Sequence, residues 1–546
     1  MIVRVLQVLL GVVLVGYLVD LGGSSIWDAN EAYYVETPRE MIDSGDYVNP
    51  SFNYEPRFNK PVLSYWIVAG LYHLFGVSVA VQRMAITAAA LIMVFAAYLL
   101  ARAASMHALA PLVAALGLAA NPRFFMFARR IMIDVTLAAL MTLVLLCFAM
   151  SERYPQRRRW LLIAMYVFVG LGVLTKGPVA AVLPALVFTA YLAFYRELGR
   201  IRTMMIPAGA VIVLAVVAPW YVALYRDSGW THIAEFFIGE NLERYTSLVG
   251  PQSRGPLFYL PVMLTDGLPW SLALPAVVAG WIHERSTRWT SPESRTRTLL
   301  LLWVAVIVVF FSLSQTKQDL YVFPIVAAVA ALGADLVTRG MSPGEDLVRR
   351  LVGSTLAAAG VALVGLGLAM VYLFGRKTVY ALDGTWLAGA IAVAGGAATV
   401  WLARRRPPAA VVALLAVLVA VNWTLVLRVL PSFERYKPVV PLSEAVLAHA
   451  REGDIVVHYD VALPSMVFYL KRHIDMTYAP DVFLERMRSG SPVLAVLPDD
   501  RYQALRDELP PTCVVARQET FDAKLKELVS PRTPPAILLI STRCPP

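Results

Sequence analysis

The sequence predicts a polytopic α-helical membrane protein in which about thirteen transmembrane helices precede a small α/β domain outside the cytoplasm. The composition is the first observation behind this prediction, since 58% of the 546 residues are hydrophobic and only 16% are charged. An ordinary soluble domain has about 45–50% apolar and about 25% charged residues. The second observation is a series of apolar runs before residue 430, each close to the roughly 20 residues that a helix needs to cross a bilayer. Together these observations exclude a string of soluble domains.

The apolar runs define the candidate spans. In chain order they cover residues 3–21, 84–104, 107–124, 132–150, 160–174, 178–195, 204–225, 256–282, 299–314, 320–337, 352–374, 385–403 and 408–428. The first run resembles a signal peptide, but its apolar stretch is long and no small-residue cleavage motif follows it. We therefore expect it to remain as an uncleaved anchor, so that residues 1–430 form one transmembrane domain.

Arginine placement predicts the orientation of the spans. Lys and Arg residues near helix ends are retained in the cytoplasm, and the arginine clusters fall in alternate loops. The clusters that share one side with Arg4 contain Arg153, Arg157, Arg158, Arg159, Arg196, Arg200, Arg202, Arg285, Arg288, Arg295, Arg297, Arg339, Arg349, Arg350, Arg404, Arg405 and Arg406. The N-terminus is therefore expected in the cytoplasm, and the net charge of +10 reflects topology rather than a nucleic-acid partner.

The opposite face receives the segments that are expected to carry the function. They are a first loop at 22–83, a second loop at 226–255 and the tail 431–546, all on the side opposite the cytoplasm. The first loop contains an apolar stretch at 62–77, which predicts a helix that lies at the membrane interface.

The tail is expected to fold as a small extracytoplasmic α/β domain. Strand-like and helix-like segments alternate there, which is typical of α/β folds. The predicted strands cover 454–458, 492–497 and 536–541, and the predicted helices cover 463–472, 499–508 and 521–529. Cys513 and Cys544 could form one disulfide if this domain lies in an oxidising compartment.

The first loop on this outer face opens with two carboxylates, Asp28 and Glu31, just beyond the first span. On a helix they would share one face, because residues three apart lie side by side. Glycosyl transfer with inversion needs a carboxylate that accepts a proton from an acceptor hydroxyl, or that holds a metal ion beside a phosphate leaving group. The alternative is a solvated pair at a helix end with no catalytic role.

A third carboxylate, Asp134, lies at the outer mouth of the fourth span. A charge at this depth is costly, and it is therefore usually paired or functional. Two interpretations are open. Asp134 is either a functional group in a cavity or one half of a structural ion pair with Arg129 or Arg130.

Cations occur at a similar depth on the same side. Arg57 and Lys60 precede the predicted interfacial helix, and Lys176 occupies the very short turn between the fifth and sixth spans. Each lysine could simply extend its ammonium to the lipid headgroups. Alternatively, two ammonium groups that face two carboxylates across a cavity would suit a lipid phosphate.

Two further segments add polar groups to this face. The second loop contains the run 240–245 and Arg254, and the turn after the ninth span contains Lys317 and Tyr321. An arginine binds phosphate through paired hydrogen bonds, and a tyrosine hydroxyl donates one. Each residue alone is typical of a membrane interface, but their number at one face predicts a site.

The segment 27–65, from WDANEAYY to RFNKPVLSY, resembles the first periplasmic loop of the GT-C glycosyltransferases related to protein O-mannosyltransferases, especially the bacterial lipid A aminoarabinose transferases. The likeness recurs at Asp134, at LTKGP (174–178), at ENLERY (240–245) and at the turn 317–324. It therefore covers most of the first 330 residues. It extends to the remaining spans and the tail by topology only.

This resemblance implies a GT-C enzyme of the bacterial inner membrane that moves a hexose or pentose from a polyprenyl-phosphate donor. The acceptor at the periplasmic face would be a lipid similar to lipid A, a glycan or a protein, and the lipid phosphate would be displaced with inversion. The implied catalytic residues are Asp28, Asp134 and Glu31. The implied ligands of the donor phosphate are Lys60, Lys176, Arg254, Tyr321, Lys317 and Arg57.

The chain departs from the aminoarabinose transferases at two places. Asn59 stands where they usually have a glutamate before the lysine, and Gln252 and Ser253 replace a typical histidine. No cofactor is therefore expected to be required, and a divalent metal ion is the open alternative. The rival functions are a transporter or flippase for lipid-linked sugars and a binding or assembly protein that uses the tail, although the latter would leave the charges of the first loop unexplained. Transporters often contain paired internal repeats, whereas in this sequence no repeat is visible and the polar groups gather at one face.

Overall fold

The computed structural model describes residues 1–130, 133–247, 254–284, 287–341, 346–375, 380–521 and 534–544. In chain order the α-helices are α1 (Ile2–Gly16), α2 (Asn30–Ser44), α3 (Leu63–Phe75), α4 (Val79–Ala104), α5 (Ala110–Ala119), α6 (Pro122–Ala128), α7 (Ile133–Arg153), α8 (Arg158–Lys176), α9 (Val179–Phe194), α10 (Ile206–Ser228), α11 (Thr231–Phe237), α12 (Arg244–Thr246), α13 (Tyr259–Asp266), α14 (Leu274–His283), α15 (Pro292–Leu313), α16 (Val326–Arg339), α17 (Asp346–Met370), α18 (Thr385–Arg405), α19 (Pro407–Thr424), α20 (Leu430–Phe433), α21 (Val439–His449), α22 (Met466–Leu470), α23 (Pro480–Met487) and α24 (Asp499–Leu505). The strands are β1 (Ser51–Phe52), β2 (Glu55–Pro56), β3 (Ile455–Tyr459), β4 (Asp475–Thr477), β5 (Val493–Pro498), β6 (Cys513–Glu519) and β7 (Ala536–Ser541).

Nine helical stretches of the described chain are long and apolar enough to cross a membrane. They are Val79–Ala104, Ile133–Arg153, Pro155–Lys176, Ile206–Ser228, Pro292–Leu313, Asp319–Arg339, Asp346–Gly375, Thr385–Arg405 and Pro407–Tyr436. Two bent helix pairs, α5 with α6 and α13 with α14, raise the number to as many as 11. Helices α1 and α9, which the sequence predicts as spans, have 15 and 16 residues and are shorter. The polytopic membrane architecture is therefore confirmed, and the count of thirteen stays a prediction.

The sequence predicts single straight spans at 107–124 and 256–282, and the structure bends both of them. The first bends by 65° and the second by 116°. Asn121 caps the second half of the first span, and Pro269 interrupts the other, because a proline lacks the amide hydrogen that a continuous helix needs. The Asn121 amide also donates to the carbonyl oxygen of Asp266 at 2.9 Å. The two breaks therefore lie against each other inside the bundle.

Buried charges hold the first loop together. On helix α2, the guanidinium of Arg39 donates to Glu36 at 2.8 Å. Glu40 accepts hydrogen bonds from the Ser51 hydroxyl at 2.5 Å and from the Tyr54 amide at 3.2 Å, which ties the β1–β2 hairpin to α2. Burial raises the pKa of Glu40 to about 7.

The apolar stretch predicted at 62–77 forms helix α3. Its last residues, Leu74 and Phe75, are 74% and 60% exposed. Exposed apolar side chains at the end of a short helix fit the predicted position at a membrane interface, where lipid covers them.

The described part of the tail contains a five-stranded mixed sheet in the order β4-β3-β5-β7-β6. Strand β3 is parallel to β4 and β5, whereas β7 is antiparallel to β5 and β6. Strands β3, β5 and β7 occur where the sequence predicts strands, but β4 and β6 lack an apolar run and are not predicted. The predicted helix at 521–529 lies outside the described residues apart from its first position.

Cys513 and Cys544 are free thiols, with Sγ atoms 3.5 and 3.8 Å from the carbonyl oxygen of Ser541.

The tail packs on the chain just before α2. The Ser25 amide donates to Glu434 at 2.8 Å, and the Lys437 ammonium donates to the Ser25 carbonyl oxygen at 2.8 Å. The Trp27 ring stacks on Phe433 with 5.0 Å between ring centroids. These contacts place the tail next to the first loop and therefore next to the predicted site.

Candidate active site

A large cavity opens where the first loop meets the ends of α7 and α8 and the segments around residues 240 and 320. Its volume is about 800 Å³, which is enough for a sugar phosphate with neighbouring groups. We call it the charged cavity. Its polar lining consists of Asn30, Tyr33, Tyr34, Arg57, Asn59, Lys60, Asp134, Lys176, Glu240, Asn241, Arg244, Tyr245, Arg254, Ser314, Gln318, Asp319 and Tyr321.

Asp134 and Lys176 form an ion pair at the charged cavity. Asp134 lies in the first turn of α7, and Lys176 is the last residue of α8. The next residue, Gly177, has a φ of +100°, and a β-carbon there would lie 2.8 Å from Phe236, so this helix end suits glycine. The two charged side chains are only 14% and 15% exposed. The pair is therefore largely shielded from water.

Lys60 and Glu240 form a second ion pair, with 2.6 Å between Nζ and Oε2. Glu240 also accepts hydrogen bonds from Arg244 at 2.9 Å and from the Asn59 amide at 3.3 Å. A glutamate at position 59 would repel Glu240, whereas the asparagine amide donates to it. The carboxylate that the resemblance leads us to expect beside Lys60 is thus supplied by Glu240, which is 180 residues away in the chain.

At this second pair, burial and the neighbouring charges shift the pKa values in opposite directions. Burial lowers the pKa of Lys60 to about 8, although Glu240 acts in the other direction. The pKa of Glu240 lies below its usual value, because Lys60 and Arg244 together outweigh the effect of burial, which raises it. An anion that enters the charged cavity would therefore stabilise the protonated form of Lys60.

Three more of the predicted phosphate ligands line the charged cavity. The Arg57 guanidinium lies over the Tyr33 ring, 3.9 Å from its centroid. Arg254 donates to a backbone carbonyl oxygen of the turn after α15 at 3.0 Å. The Tyr321 ring lies 5.1 Å from the Lys176 ammonium. These side chains keep donors available to a ligand, because Arg57 and Arg254 have no carboxylate partner among the described ion pairs.

Asp28 and Glu31 are not among the described residues that line the charged cavity. Asp28 accepts hydrogen bonds from the amide and the hydroxyl of Ser465 at 2.8 and 2.6 Å. Glu31 pairs with Arg83 at 3.0 Å. Burial raises the pKa of Asp28 to about 7. The two carboxylates thus tie the first loop to the tail and to α4, and their catalytic role stays a prediction.

Lys317 also lies outside the described lining of the charged cavity. Its ammonium donates to the backbone carbonyl oxygen of Ser314. The structure therefore brings together Asp134, Lys60, Lys176, Arg57, Arg254 and Tyr321, whereas Asp28, Glu31 and Lys317 stand apart.

The alternative interpretation of Asp134, an ion pair with Arg129 or Arg130, is wrong. Arg129 donates to backbone carbonyl oxygens just after α1 at 2.6 and 3.3 Å. The Arg130 guanidinium lies over the Trp27 ring, 3.8 Å from the centroid. Both arginines face the start of the first loop, and Lys176 pairs with Asp134 instead.

Asn30 and Asp319 are among the cavity residues that are not predicted from the sequence. Asn30 begins α2, and Tyr33 and Tyr34 follow three and four residues later, so all three share one helix face. This spacing was the available signal. Asp319 pairs with Arg123 at 2.5 Å, and the two residues are 196 positions apart in the chain. A pattern among neighbouring residues in the sequence cannot indicate such a contact.

The charged cavity offers cations rather than a recognisable metal site. Within the described ranges, no group of three or more His, Cys, Asp or Glu residues is arranged to hold a metal ion. Positions 252 and 253, where the resemblance leads us to expect a histidine, lie outside the described residues.

Residues 59–222 match the protein family described as dolichyl-phosphate-mannose-protein mannosyltransferase. Together with the helical bundle and the charged cavity, this match defines an integral membrane glycosyltransferase. A relative from Pseudomonas aeruginosa, named undecaprenyl phosphate-alpha-4-amino-4-deoxy-L-arabinose arabinosyl transferase, is 32% identical over 410 residues, which cover 72% of this chain and 70% of the relative. The chain belongs to this family of arabinosyl transferases.

Two further comparisons extend over most of the chain. A relative of the same name from Pseudomonas savastanoi is 27% identical over 486 residues, which cover 88% of this chain and 80% of the relative. The crystal structure of ArnT from Cupriavidus metallidurans bound to undecaprenyl phosphate matches with a TM-score of 0.79 and 25% identity, over 98% of this chain and 97% of that chain. The GT-C fold is therefore confirmed, and the glycosyltransferase is favoured over the transporter.

Asp28→Asn is expected to remove part of the pH dependence of stability. Because burial raises the pKa of Asp28 from 3.8 to about 7, folding favours the protonated acid, and stability falls as the pH rises through this interval. The effect at neutral pH is on the order of 1–4 kcal/mol. The measurement is the thermal unfolding midpoint in detergent from about pH 5 to about pH 8. Wild type and variant with equal slopes would show that Asp28 does not titrate in this range.

Proposed function

We propose that this protein transfers a sugar, and specifically 4-amino-4-deoxy-L-arabinose, from undecaprenyl phosphate to a phosphorylated lipid similar to lipid A. The observation that carries the proposal is the charged cavity, in which Lys60, just before α3, and Lys176, at the end of α8, are each held by a single carboxylate. Two ammonium groups at this depth suit the phosphate of a membrane lipid. The name of the relatives and the ligand of the matching crystal structure support this choice of donor.

An apolar cavity beside the charged cavity suits the isoprenoid chain of the donor. Its volume is about 640 Å³, and it lies between α3, α4 and α7. Tyr34 and Ile133 line both cavities. A polyprenyl phosphate with its phosphate near Lys60 and Lys176 could therefore place its first isoprene units in the apolar cavity, where their burial is favourable.

Transfer requires one bond to break and one to form at the anomeric carbon of the sugar. An acceptor oxygen attacks this carbon, the bond to the phosphate oxygen breaks, and undecaprenyl phosphate leaves with the electron pair. The leaving group is workable only if its charge is stabilised, and we assign this role to Lys60, Lys176 and Arg254, with Arg57 and Tyr321 beside them. Attack from the face opposite the phosphate inverts the configuration.

Asp134 and Glu240, the carboxylates of the two ion pairs, become available to the sugar when the donor binds. A phosphate that attracts Lys60 and Lys176 leaves Asp134 and Glu240 with free acceptor atoms next to the sugar. Carboxylates accept hydrogen bonds from sugar hydroxyls and pair with an ammonium such as the 4-amino group. We propose that Asp134 and Glu240 orient the sugar in this way. A phosphate acceptor is already ionised and needs no general base, whereas a hydroxyl acceptor would need one of these carboxylates.

We further propose that the charged cavity works without a required metal ion, because its lysines and arginines can neutralise the leaving phosphate. The proposed location is the bacterial inner membrane with a cytoplasmic N-terminus and a periplasmic tail, in line with the arginine distribution. The charged cavity would then open to the periplasm.

The direct test is a transfer assay with purified protein, undecaprenyl phosphate-aminoarabinose and lipid A, in the presence and absence of EDTA. We expect mass spectrometry to detect lipid A that carries one added amino sugar, in equal amounts under both conditions. The absence of this product with wild-type protein that still binds the donor would contradict the proposed acceptor. Loss of product in EDTA would contradict the metal-free mechanism.

Binding of the donor phosphate is expected to weaken as the pH rises through about 8. Burial lowers the pKa of Lys60 to about 8, so its ammonium loses a proton in this range. The dissociation constant of undecaprenyl phosphate should rise about tenfold between pH 7 and pH 9. Lys60→Arg is the matched control, because an arginine stays protonated throughout. An equal rise in wild type and Lys60→Arg would assign the titration to another group.

A further inference from the structure

A second polar cavity, of about 460 Å³, lies between the β1–β2 hairpin of the first loop and strand β4 of the tail. We call it the hairpin cavity. Glu55 stands on its hairpin side, and His473, Asp475 and Arg486 stand on its tail side. The mechanism proposed above uses none of these four side chains.

The hairpin cavity borders the charged cavity. Tyr33 and Arg57 line both of them. The Arg57 guanidinium lies over the Tyr33 ring at 3.9 Å and donates to the Tyr65 hydroxyl at 3.3 Å, so it is held at the junction by two aromatic residues. A substrate whose reacting group enters the charged cavity can therefore continue past Arg57 into the hairpin cavity.

The two walls of the hairpin cavity are fixed to each other. The Asn53 amide donates to the carbonyl oxygen of Ile474 at 2.9 Å, and the Ile474 amide donates to the Asn53 side chain at 2.9 Å. Asn53 is 8% exposed and adopts a φ of +60°, a conformation that asparagine tolerates better than most residues. Paired buried hydrogen bonds of this kind set the width of the cavity before any ligand binds.

Basic and acidic side chains alternate in the hairpin cavity. His473 lies 3.3 Å from Glu55 and 3.4 Å from Asp475, and Arg486 lies 3.1 Å from Asp475. Two carboxylates, Glu55 and Asp475, are balanced by two guanidinium groups, those of Arg57 and Arg486, so the cavity does not suit a polyanion. Neighbouring acceptors and donors instead suit a saccharide, whose hydroxyl and amide groups donate to carboxylates and accept from arginine. Arg486 is 52% exposed and Asp475 25% exposed, so both can reach a ligand.

We propose that the hairpin cavity binds the saccharide headgroup of the acceptor lipid, while the donor occupies the charged cavity and Arg57 stands between them. This inference rests on the proposed function, because it assigns the acceptor of that reaction to a place. It also gives the tail a role, since β4 and the residues that follow it form one wall of the acceptor subsite.

Direct binding tests the subsite without requiring transfer. The probe is the N-acetylated glucosamine disaccharide that corresponds to lipid A without its phosphates and long acyl chains, so that it does not compete for the phosphate ligands of the charged cavity. Its affinity is measured by calorimetry for the full-length protein in detergent. Arg486→Ala and Asp475→Asn should each weaken binding about tenfold, because the first removes a charged donor and the second replaces a charged acceptor by a neutral one. Arg501→Ala is the matched control. It removes an arginine of the same domain that is also 52% exposed and pairs with Asp460 rather than lining the hairpin cavity.

Transfer kinetics provide the second readout. With lipid A as acceptor, Arg486→Ala should raise KM about tenfold and leave kcat and the affinity for undecaprenyl phosphate unchanged. With dodecyl phosphate, an acceptor without a saccharide, wild type and Arg486→Ala should have equal KM values. A positioning effect on the charged cavity would instead change the kinetics with both acceptors.

The outcomes separate the inference from the function on which it rests. Wild-type disaccharide affinity in both Arg486→Ala and Asp475→Asn, or equal losses in Arg501→Ala, would overturn the subsite even if transfer proceeds. Disaccharide binding that depends on Arg486 and Asp475 in a protein that transfers no sugar would support the subsite and contradict the proposed reaction.

Discussion

Asp134→Asn is expected to lower kcat about 100- to 1000-fold, the largest loss from any single substitution in the charged cavity. Asp134 holds Lys176 in place before the donor binds, and it is assigned to the sugar once the phosphate attracts that lysine. Asparagine keeps the size of the side chain but loses the charge, so both roles fail together. The measurement is the turnover of undecaprenyl phosphate-aminoarabinose at saturating lipid A.

Asp319→Asn is the matched control for this substitution. Asp319 also lines the charged cavity, but it is 47% exposed and pairs with Arg123 rather than with a proposed phosphate ligand. We expect its kcat to stay within about threefold of wild type, as for most exposed ion pairs. Asp134→Asn with turnover similar to this control, at normal expression, would remove Asp134 from the reaction.

Lys60→Ala and Lys176→Ala are each expected to weaken the binding of undecaprenyl phosphate about 10- to 100-fold, which corresponds to the loss of one charge-assisted hydrogen bond. Each lysine is now held by one carboxylate, and the donor phosphate competes with that carboxylate. The measurement is equilibrium binding of a fluorescent undecaprenyl phosphate to the purified protein. If the double variant binds as tightly as wild type, the phosphate lies elsewhere.

Two comparison variants sharpen this result. The resemblance implies that Lys317 is a phosphate ligand, but its ammonium donates to the Ser314 carbonyl oxygen outside the described cavity lining. Lys317→Ala should therefore change affinity by less than about threefold. Lys176→Ala leaves Asp134 unpaired at a depth where an isolated carboxylate is costly. The double variant Asp134→Asn/Lys176→Ala should therefore express better than Lys176→Ala, yet bind the lipid equally weakly.

The positions of Lys60, Asp134 and Lys176 could be predicted because a charge at the end of an apolar helix is costly unless it is paired or used. Each of these residues lies next to an apolar run that can be recognised from the sequence alone. The sequence could therefore place them at one face of the membrane. It also predicted the α/β character of the tail, since β3, β5 and β7 are short apolar runs.

The partners of these residues could not be predicted, because they depend on how distant segments pack. Glu240 reaches Lys60 across 180 residues, and its presence explains why an asparagine occupies position 59. Asp28 and Asn30 are only two residues apart, yet one contacts Ser465 of the tail and the other lines the charged cavity. The residue at which α2 begins determines which of the two faces the cavity. The sequence motif contains both residues and does not show where that helix begins.

A structure of the protein with undecaprenyl phosphate bound would show whether the charged cavity is the donor site. We expect the phosphate within hydrogen-bond distance of the Lys60 and Lys176 ammonium groups, with Arg254 beside it and the isoprenoid chain between α3, α4 and α7. A phosphate seated instead beside Asp28 and Ser465, or in the hairpin cavity, would contradict it.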